Sequence, residues 1–358
     1  MDMFDRFAER LASRPHAPVG IFPTPIQWMP RLSARWGRPV YFKRDDLAGL
    51  AVGGSKIRVL QHTAGDALAR GADLFVAGGW VQSNHPAQVA AVACALGVRA
   101  ELVLDTTKGY ELQGNLLLED LLGVRVHFVR EGTYEALRAA CVRLADRLRG
   151  RGAKPALLTL TPEIHVLNAL AYAEGFVEVS RQLEAIDITD ADIFIGSGGP
   201  TCAGLWLGSR AQQGRLRVHG VPTSGMGAGA RERVVDVASR AMRALDVEVL
   251  LRQEDLSLLG DGTGVYGFTR RAAIEAIRVV AQAEGVFLDP IYTGNAMAEL
   301  LRWIPQHRDN SPIVFFHTGG VPALFAYERE VGRPPKKGAV PGRRIVRLNQ
   351  ARTGRLRA

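Results

Sequence analysis

Cysteine is scarce in this sequence of 358 residues, which has only Cys94, Cys141 and Cys202. An odd number of cysteines without C-x-x-C spacing argues against a disulfide framework and against a cysteine zinc site. The H-E-x-x-H motif of zinc proteases is also missing, so we expect no metal in the site. The three cysteines indicate reduced thiols and a cytoplasmic location.

Long apolar runs are absent as well. No stretch approaches the roughly 18 residues that a membrane-spanning helix needs. The first ten residues mix acids and bases and form no apolar signal segment. We therefore expect no membrane partner.

Acidic residues are missing from positions 333–358, which carry nine arginines and lysines. Subtracting these nine from the 45 basic residues leaves 36, which equals the number of acidic residues. The formal net charge of +9 therefore comes from this Pro/Gly/Arg-rich tail. Such a tail can bind nucleic acid or an anionic membrane, but we expect a flexible extension and no nucleic-acid partner.

Glycine, in contrast, is abundant, and three glycine loops lie where a strand turns into a helix. The first loop is Gly53-Gly-Ser-Lys56, between an apolar strand at 39–44 and a helical pattern that ends before Gly71. Ser55 is the expected N-cap, which places Lys56 in the first helical turn. A desolvated lysine amine at such a point is a Schiff-base nucleophile. A solvated lysine after a turn is the alternative interpretation.

The second loop, Gly78–Pro86, also follows an apolar strand and opens a helix. Its side chains would surround a helix N-terminus, where free N–H groups and the helix dipole favour an anion such as a substrate carboxylate. The candidates are Trp80, Gln82, Ser83, Asn84 and His85. Plain capping by Asn84 would explain the same pattern.

The third loop, Gly196–Gly204, has the architecture of a phosphate cradle between a strand and a helix. It does not fit the dinucleotide fingerprint, because Thr201 stands at the third glycine position, and it lacks the ending of a Walker loop. The segment Gly225–Ala230 does match the looser G-x-G-x-x-A form, which leaves a nicotinamide site as an alternative.

The order of strands and helices predicts an α/β fold with parallel sheets. Strands are predicted at 74–78, 100–105, 124–129, 193–196, 216–220 and 313–317, and helices at 86–97, 111–122, 133–150 and 166–184. We predict a larger domain formed by 1–50 and 176–332, a smaller domain at 51–175, and the tail at 333–358.

Together the motifs resemble the fold-type II pyridoxal-phosphate enzymes, and within them the D-cysteine desulfhydrase/aminocyclopropane-carboxylate deaminase family. The matching stretches are Gly53-Gly-Ser-Lys56, Gln82-Ser-Asn-His85, Thr201-Cys-Ala-Gly204, Asp289-Pro-Ile-Tyr-Thr-Gly294 and His317-Thr-Gly-Gly320. The resemblance implies a two-domain fold like the tryptophan synthase β-subunit, with parallel or mixed sheets flanked by helices. It also implies pyridoxal 5′-phosphate as cofactor, a small amino acid as substrate, and a homodimer.

The resemblance assigns roles to individual residues. Lys56 would hold the cofactor covalently and later move the Cα proton, with Ser83, Tyr266 and Tyr292 completing the catalytic set. Cofactor contacts would come from Asn84, Gly196, Ser197, Gly198, Gly199, Thr201 and Thr318. The substrate carboxylate would lie among the residues of the second loop, Trp80 and Gln82 through His85.

Two threonines separate the branches of the family. The deaminase branch of the family has the motifs Y-E-G and H-L-G-G, and its glutamate faces the pyridine nitrogen. In this sequence Thr293 replaces that glutamate, and Thr318 replaces the leucine of the second motif. A hydroxyl there implies a milder electron sink, suited to expelling a good β-leaving group. The sequence departs from the family at Ser55, Val59, Trp80, Pro200 and Asn295, which puts the substrate in doubt more than the cofactor.

The sequence thus predicts a lyase that eliminates a β-substituent from a small amino acid and yields pyruvate and ammonia. A deaminase that opens aminocyclopropane carboxylate, or a β- or γ-replacement enzyme, is the alternative within the class. A non-catalytic protein that binds the cofactor or an amino acid is the alternative from another class.

Overall fold

The computed structural model describes residues 2–159, 161–223, 225, 227–263, 267, 269–307 and 309–332. Helices and strands alternate along most of this part of the chain, as the sequence predicts. The helices are α1 Met3–Ala12, α2 Pro30–Trp36, α3 Ser55–Ala69, α4 Asn84–Leu96, α5 Gly114–Leu121, α6 Tyr134–Arg149, α7 Pro162–Glu184, α8 Pro200–Ala211, α9 Ala230–Ala244, α10 Arg271–Glu284, α11 Thr293–Trp303, α12 Val321–Ala326 and α13 Glu328–Val331.

The strands are β1 Ile26–Trp28, β2 Val40–Lys43, β3 Leu74–Trp80, β4 Arg99–Asp105, β5 Arg125–Val129, β6 Pro155–Leu157, β7 Ala191–Ile195, β8 Leu216–Gly220, β9 Ser257–Leu258 and β10 Ile313–Phe316. The six strands predicted after residue 70 are present, with ends that shift by one or two residues. The short strands β1, β6 and β9 were not predicted, because two or three residues are too few to show a period.

The strands form two sheets. One has six strands in the order β1-β2-β10-β7-β8-β9, and the other has four in the order β5-β4-β3-β6. The pairings are parallel except for β1 with β2. The predicted α/β fold with parallel and mixed sheets is confirmed. The domain limits stay a prediction, and the limit at 175–176 lies inside α7.

A large core joins α7 and α8 to the six-stranded sheet, with Tyr172 and Trp206 nearly or fully buried. The two helices approach closely because α8 carries glycines at the contact. A Cβ on Gly204 would lie 2.1 Å from the Ala169 carbonyl oxygen, and one on Gly208 would lie 2.6 Å from Phe176 Cβ. This contact places the N-terminus of α8 beside the carboxyl ends of the strands.

A buried network of charged side chains ties α3 to β2 and α7. Arg58 donates to both carboxylate oxygens of Asp45, at 3.0 and 2.8 Å, and to Glu178 Oε2 at 2.8 Å. Thr24 and Tyr172 also donate to Asp45, at 2.8 and 3.0 Å. Lys43 bonds to Glu178. Although burial opposes ionisation of Asp45, the Arg58 guanidinium holds its pKa below the usual value.

Replacing Arg58 by Ala should destabilise the protein by about 3–5 kcal/mol, because Asp45 and Glu178 would be left buried without their shared cation. Urea unfolding at pH 7.5 measures this loss. The matched control is Arg70→Ala at the C-cap of α3, because the Arg70 side chain is 70% exposed and its partner Asp66 lies one turn away. This substitution should change stability by no more than about 1 kcal/mol. Equal effects of the two substitutions would contradict the interpretation.

One buried carboxyl group belongs to no such network. Glu119 in α5 is fully buried, and neither of its carboxylate oxygens has a hydrogen-bond partner among the described residues. Burial raises the pKa of Glu119 to about 9. The folded protein therefore keeps a proton on this group at neutral pH, whereas the unfolded chain has released it.

Because the folded-state pKa of Glu119 lies above the unfolded-state value, stability falls as pH rises from about 4.5 to 9. Glu119→Gln removes this loss and should stabilise the protein by about 3 kcal/mol at pH 7, with little effect near pH 4. Urea unfolding at both pH values measures the difference. Asp120→Asn, at the exposed neighbouring position, should give no such pH-dependent gain.

Within the described part of the chain, none of the helices combines the length and the apolar character required for crossing a membrane.

Candidate active site

Lys56 is the second residue of α3, so its predicted place in the first helical turn is confirmed. Ser55 is not the N-cap. Gly54 occupies that position with φ 123° and ψ 170°, and Ser55 is already helical, with its N–H donating to the Thr318 carbonyl at 2.9 Å. The Lys56 side chain is only partly exposed, and desolvation lowers the pKa of its amine to about 8. Lys56 is therefore not a solvated lysine after a turn.

Glycine is required in the loop before Lys56 because other backbone lies against it. Gly53 has φ 73°, and a Cβ there would lie 1.9 Å from the Asp46 carbonyl oxygen. A Cβ on Gly54 would lie 2.8 Å from Gln88 Nε2 and 3.1 Å from the Thr318 carbonyl oxygen. The loop of Lys56 is thus packed directly on the segment that follows β10.

The second loop forms the N-terminus of α4, as predicted, but Ser83 is the N-cap rather than Asn84. The Ser83 hydroxyl accepts from the His85 N–H at 3.4 Å, and Asn84 is the first helical residue. His85 Nε2 donates to the Leu158 carbonyl at 2.7 Å. Burial, and then the positive charge of Lys56, lower the pKa of His85 to about 4, so its ring is neutral at pH 7.

The side-chain amide of Gln82 holds the loop that precedes α5. Its Oε1 accepts from the Asn115 N–H at 3.0 Å, and its Nε2 donates to the Gln113 carbonyl at 3.0 Å. Asn115 Nδ2 donates to Asn84 Oδ1 at 2.8 Å. Sequence reasoning missed Asn115, whose signal would have been a polar residue directly after a glycine at a helix start. Gln82 therefore positions the site, whereas a direct substrate contact stays a prediction.

The third loop connects β7 to α8. Gly199 is the N-cap of α8, Pro200 is its first residue, and Thr201 is half-buried in the first turn. Ser197 Oγ accepts from the Gly199 N–H at 3.2 Å. A Cβ on Gly199 would meet no described atom within 4 Å, so this side of the loop faces open space.

The turn at 289–294 is organised by the buried carboxylate of Asp289. This carboxylate accepts from the N–H groups of Ile291, Tyr292 and Thr293 at 2.7–2.8 Å, and from the Thr293 hydroxyl at 2.7 Å. The Thr293 hydroxyl also accepts from the Asp289 N–H at 2.7 Å. Thr293 is fully buried and its hydroxyl is bonded within this turn, whereas the predicted cofactor contact of Thr318 stays a prediction.

The segment His317-Thr-Gly-Gly320 joins the other loops. His317 Nε2 donates to the Phe287 carbonyl at 2.8 Å, and Nδ1 accepts from the Gly319 N–H at 3.2 Å, which sets a neutral ring. A Cβ on Gly319 would lie 2.6 Å from Gly54 Cα, and one on Gly320 would lie 2.7 Å from Asp289 Cβ.

The third loop also contacts the turn at 289–294. A Cβ on Gly196 would lie 2.9 Å from the Tyr292 carbonyl oxygen, so the loop of α8 lies against the turn of Asp289. The first loop contacts the segment at 317–320, which contacts Asp289 in turn. The loops that precede α3, α8 and α11 are therefore neighbours at one edge of the six-stranded sheet.

A cavity of about 730 Å³ opens beside these loops, within the usual range for small-molecule sites. Of the predicted residues, it is lined by Trp80, Gln82, Ser83, Asn84 and Tyr292. Lys56, His85, Gly196, Ser197, Gly198, Gly199, Thr201 and Thr318, all described, do not line it. Tyr266 lies outside the described residues.

The cavity also exposes residues that sequence reasoning missed. Asp105 ends β4, Lys108 and Tyr110 lie in the segment after it, and Tyr327 follows α12. Tyr327 Oη donates to the Gly267 carbonyl at 2.7 Å, and this hydrogen bond connects two segments that line the cavity. The position of Asp105 at the carboxyl end of a strand could have indicated a site residue, whereas nothing in the sequence around Tyr327 indicates one.

The departures from the family pattern have distinct structural consequences. Val59 is fully buried in the core beside α7, and Trp80 contacts Tyr134, with the ring centroids 4.9 Å apart. Pro200 occupies the first position of α8, where a missing N–H costs little. Asn295 donates to the Ile291 carbonyl at 2.7 Å, and its Oδ1 has no partner in the described structure.

These observations fit a specific class of protein. A lysine of lowered pKa lies beside the N-terminus of α4, and its glycine loop packs on the segment after β10. That segment and the glycine loop of α8 both contact the turn at 289–294, at the carboxyl edge of the six-stranded sheet, where such sheets bind ligands. This arrangement suits a cofactor with an aldehyde, a flat ring and a phosphate. It is the site of a fold-type II pyridoxal-phosphate enzyme.

Comparison with known proteins identifies the family. A family described as pyridoxal-phosphate dependent enzyme matches residues 18–319, and the chain belongs to it. D-cysteine desulfhydrase of Klebsiella pneumoniae (strain 342) is 38% identical over 314 residues, which cover 85% of this chain and 94% of that protein.

Solved structures agree with this assignment. A crystal structure described as an ACC deaminase homologue is 32% identical with a TM-score of 0.83, covering 91% of this chain and 98% of that chain. O-ureido-L-serine synthase shares the fold, at 18% identity and a TM-score of 0.63, covering 90% of this chain and 93% of its own. The protein is a pyridoxal-phosphate-dependent lyase that carries out elimination on a small amino acid.

Lys56→Met should stabilise the cofactor-free enzyme at pH 7. The folded-state pKa of Lys56 lies below the usual 10.5, so the ammonium form destabilises the fold below pH 8, and this cost fades between pH 8 and 10.5. The expected gain is about 1–3 kcal/mol at pH 7 and near zero at pH 10.5. Urea unfolding measures it, with Lys154→Met at an exposed position as control. A gain that is independent of pH would contradict the assignment.

Proposed function

We propose that the enzyme converts D-cysteine and water into pyruvate, ammonia and hydrogen sulfide. The observation that carries the proposal is the half-buried Lys56 amine, of lowered pKa, beside the N-terminus of α4. The similarity to D-cysteine desulfhydrase over most of both chains supports this substrate.

Lys56 is proposed to act twice. With a pKa of about 8, its amine is partly neutral at pH 7.5, and only the neutral amine can attach to an aldehyde. The same Nζ then accepts the proton from the substrate Cα. Lys56 lies in the first turn of α3, and Arg58 on that helix is locked to Asp45, so the position of the amine is held by a buried anchor.

The substrate carboxylate is proposed to bind at the N-terminus of α4. Ser83, Asn84 and His85 occupy this terminus, where the helix dipole attracts an anion. Since His85 is neutral, it contributes orientation rather than charge. Asn84, held by Asn115, is also the proposed contact to the cofactor ring.

The cofactor phosphate is proposed to bind to the loop at 196–199 and to Thr201, at the N-terminus of α8. When bound, pyridoxal phosphate supplies the electron sink that stabilises negative charge at the substrate Cα. Thr318 is the proposed partner of the ring nitrogen, because the Thr293 hydroxyl is held by Asp289. A hydroxyl leaves that nitrogen uncharged more readily than a carboxylate would, which favours expulsion of a good leaving group such as thiolate.

Three further features belong to this proposal. We place the enzyme in the cytoplasm, since the three cysteines are free thiols. We propose a homodimer, on the basis of the family resemblance. The two sheets support a larger domain around the six-stranded sheet and a smaller one around the four-stranded sheet, divided near 50 and near 175.

The proposal predicts release of pyruvate and sulfide from D-cysteine by the holoenzyme, at a rate well above that with L-cysteine. Lys56→Ala should remove the visible absorbance of bound cofactor and lower kcat/KM by roughly a thousandfold or more. Lys154→Ala, at an exposed site, should leave both unchanged. Coupled pyruvate and sulfide assays measure the rates.

Other results would assign another activity. Keto-acid release from aminocyclopropane carboxylate but not from D-cysteine would favour the deaminase, an outcome that the similarity to an ACC deaminase homologue makes worth testing. Activity only with a second nucleophile would indicate a replacement enzyme. Tight amino-acid binding without any product would indicate a non-catalytic protein and would overturn the proposal.

A further inference from the structure

Three side chains from three separate elements meet on the side of α3 that faces α7. His16 belongs to the segment after α1, His62 to α3 and Glu174 to α7. Nε2 of His16 and Nε2 of His62 lie 2.9 and 2.7 Å from the same oxygen, Glu174 Oε2. The two imidazole centroids are 4.3 Å apart, and the three ligand atoms lie within 4.8 Å of one another. Sequence analysis gave these histidines no function.

The backbone holds this cluster in place before any ligand arrives. Ala17 N–H donates to the Gln61 carbonyl at 2.8 Å, which joins the segment of His16 to the turn that carries His62. A Cβ on Gly65 would lie 2.7 Å from Ala17 N and 2.8 Å from the His16 carbonyl carbon. Only glycine at position 65 therefore lets the segment lie directly on α3.

The orientation of His16 is that of a metal ligand. Its Nδ1 lies 2.7 Å from the Arg14 carbonyl oxygen, while Nε2 faces the carboxylate. Both partners are acceptors, so both hydrogen bonds form only when each nitrogen carries a proton. Metal-binding histidines commonly donate the distant N–H to a carbonyl in this way, which turns the other nitrogen toward the ion.

We infer that His16, His62 and Glu174 form a zinc-binding site. Two imidazoles and one carboxylate are a ligand set that zinc accepts, with the fourth position left to water. The ion would replace the Nε2 proton of His16, which is released, while the Nε2 proton of His62 would move to Nδ1 of the same ring. Exposed fractions of 26% for His16 and 37% for Glu174 leave an entry path, whereas His62, at 2%, is buried.

The three ligand atoms already lie within 4.8 Å of one another, and they would adjust their separations to hold the ion. Zinc bonds of about 2.0–2.1 Å separate tetrahedral ligand atoms by about 3.3 Å, so the carboxylate would withdraw from the two rings by roughly half an ångström. His62 lies six residues beyond Lys56, about 9 Å along the helix axis. The ion would therefore link α3 to α7 and to the segment of His16, at a position separate from the cofactor site.

Titration of the chelator-treated holoenzyme with zinc chloride, followed by calorimetry and by thermal unfolding, tests the inference. We expect one zinc per chain, with a raised Tm and no comparable effect of magnesium chloride. His16→Gln, at a partly exposed position, and Glu174→Gln should each weaken zinc binding by at least about tenfold. His127→Gln is the matched control, because His127 pairs with Glu101 at 2.7 Å in a pair that contains one histidine.

The inference fails if the wild-type enzyme binds no zinc, which would leave the cluster as hydrogen bonds only. It also fails if His16→Gln binds zinc as tightly as the wild type, which would assign the ion to the exposed thiol of Cys94 or to the cofactor. Since zinc binding and Tm are measured without substrate, these results are independent of the proposed lyase activity.

Discussion

The buried contact of Arg58 with Asp45 and Glu178 is the constraint on which the site depends. Asp45 plays two parts, because its carboxylate holds Arg58 while its backbone carbonyl accepts from the Gly54 N–H at 2.9 Å. One residue therefore fixes both the glycine loop and the helix that follows it. Buried ion pairs contribute little net stability, since desolvation offsets their attraction, but a broken pair is costly. The network acts mainly as a constraint on position, and it holds Lys56 two residues away.

Around that anchor, the site is built mostly from backbone. Gly53, Gly54, Gly196 and Gly319 let loops from distant parts of the chain touch, since a Cβ at any of them would collide with a neighbouring segment. Burial lowers the pKa of the two titratable groups beside the N-terminus of α4, which leaves His85 neutral and the Lys56 amine partly neutral near pH 7.5. Desolvation lowers the pKa of Lys56, and desolvation together with the positive charge of Lys56 lowers the pKa of His85. A site of this kind offers an amine and oriented N–H groups rather than a concentration of charge.

Sequence reasoning failed where tertiary packing outweighs local preference. Ser55 is a favourable N-cap residue, yet Gly54 is the cap, because that position has φ 123°, which favours glycine, and lies against the Thr318 carbonyl. Asn84 was the expected N-cap of α4, but Ser83 is the cap, and the Asn84 side chain accepts a hydrogen bond from Asn115. The role of Gln82 as a brace and the approach of His16 to His62 depend on residues far away in the chain, so no local pattern could indicate them.

The sequence alone determined the alternation of strands and helices, the three glycine loops and Lys56 in a first helical turn. Each of these follows from local periodicity, from the backbone freedom of glycine or from the preference of loops for strand ends. Only the tertiary structure decided that the Thr293 hydroxyl is bonded to Asp289. It likewise decided that Lys56 is desolvated and that two histidines share one carboxylate. Burial and the hydrogen-bond partners of a side chain depend on which elements pack together in space. The local sequence of one element does not determine them.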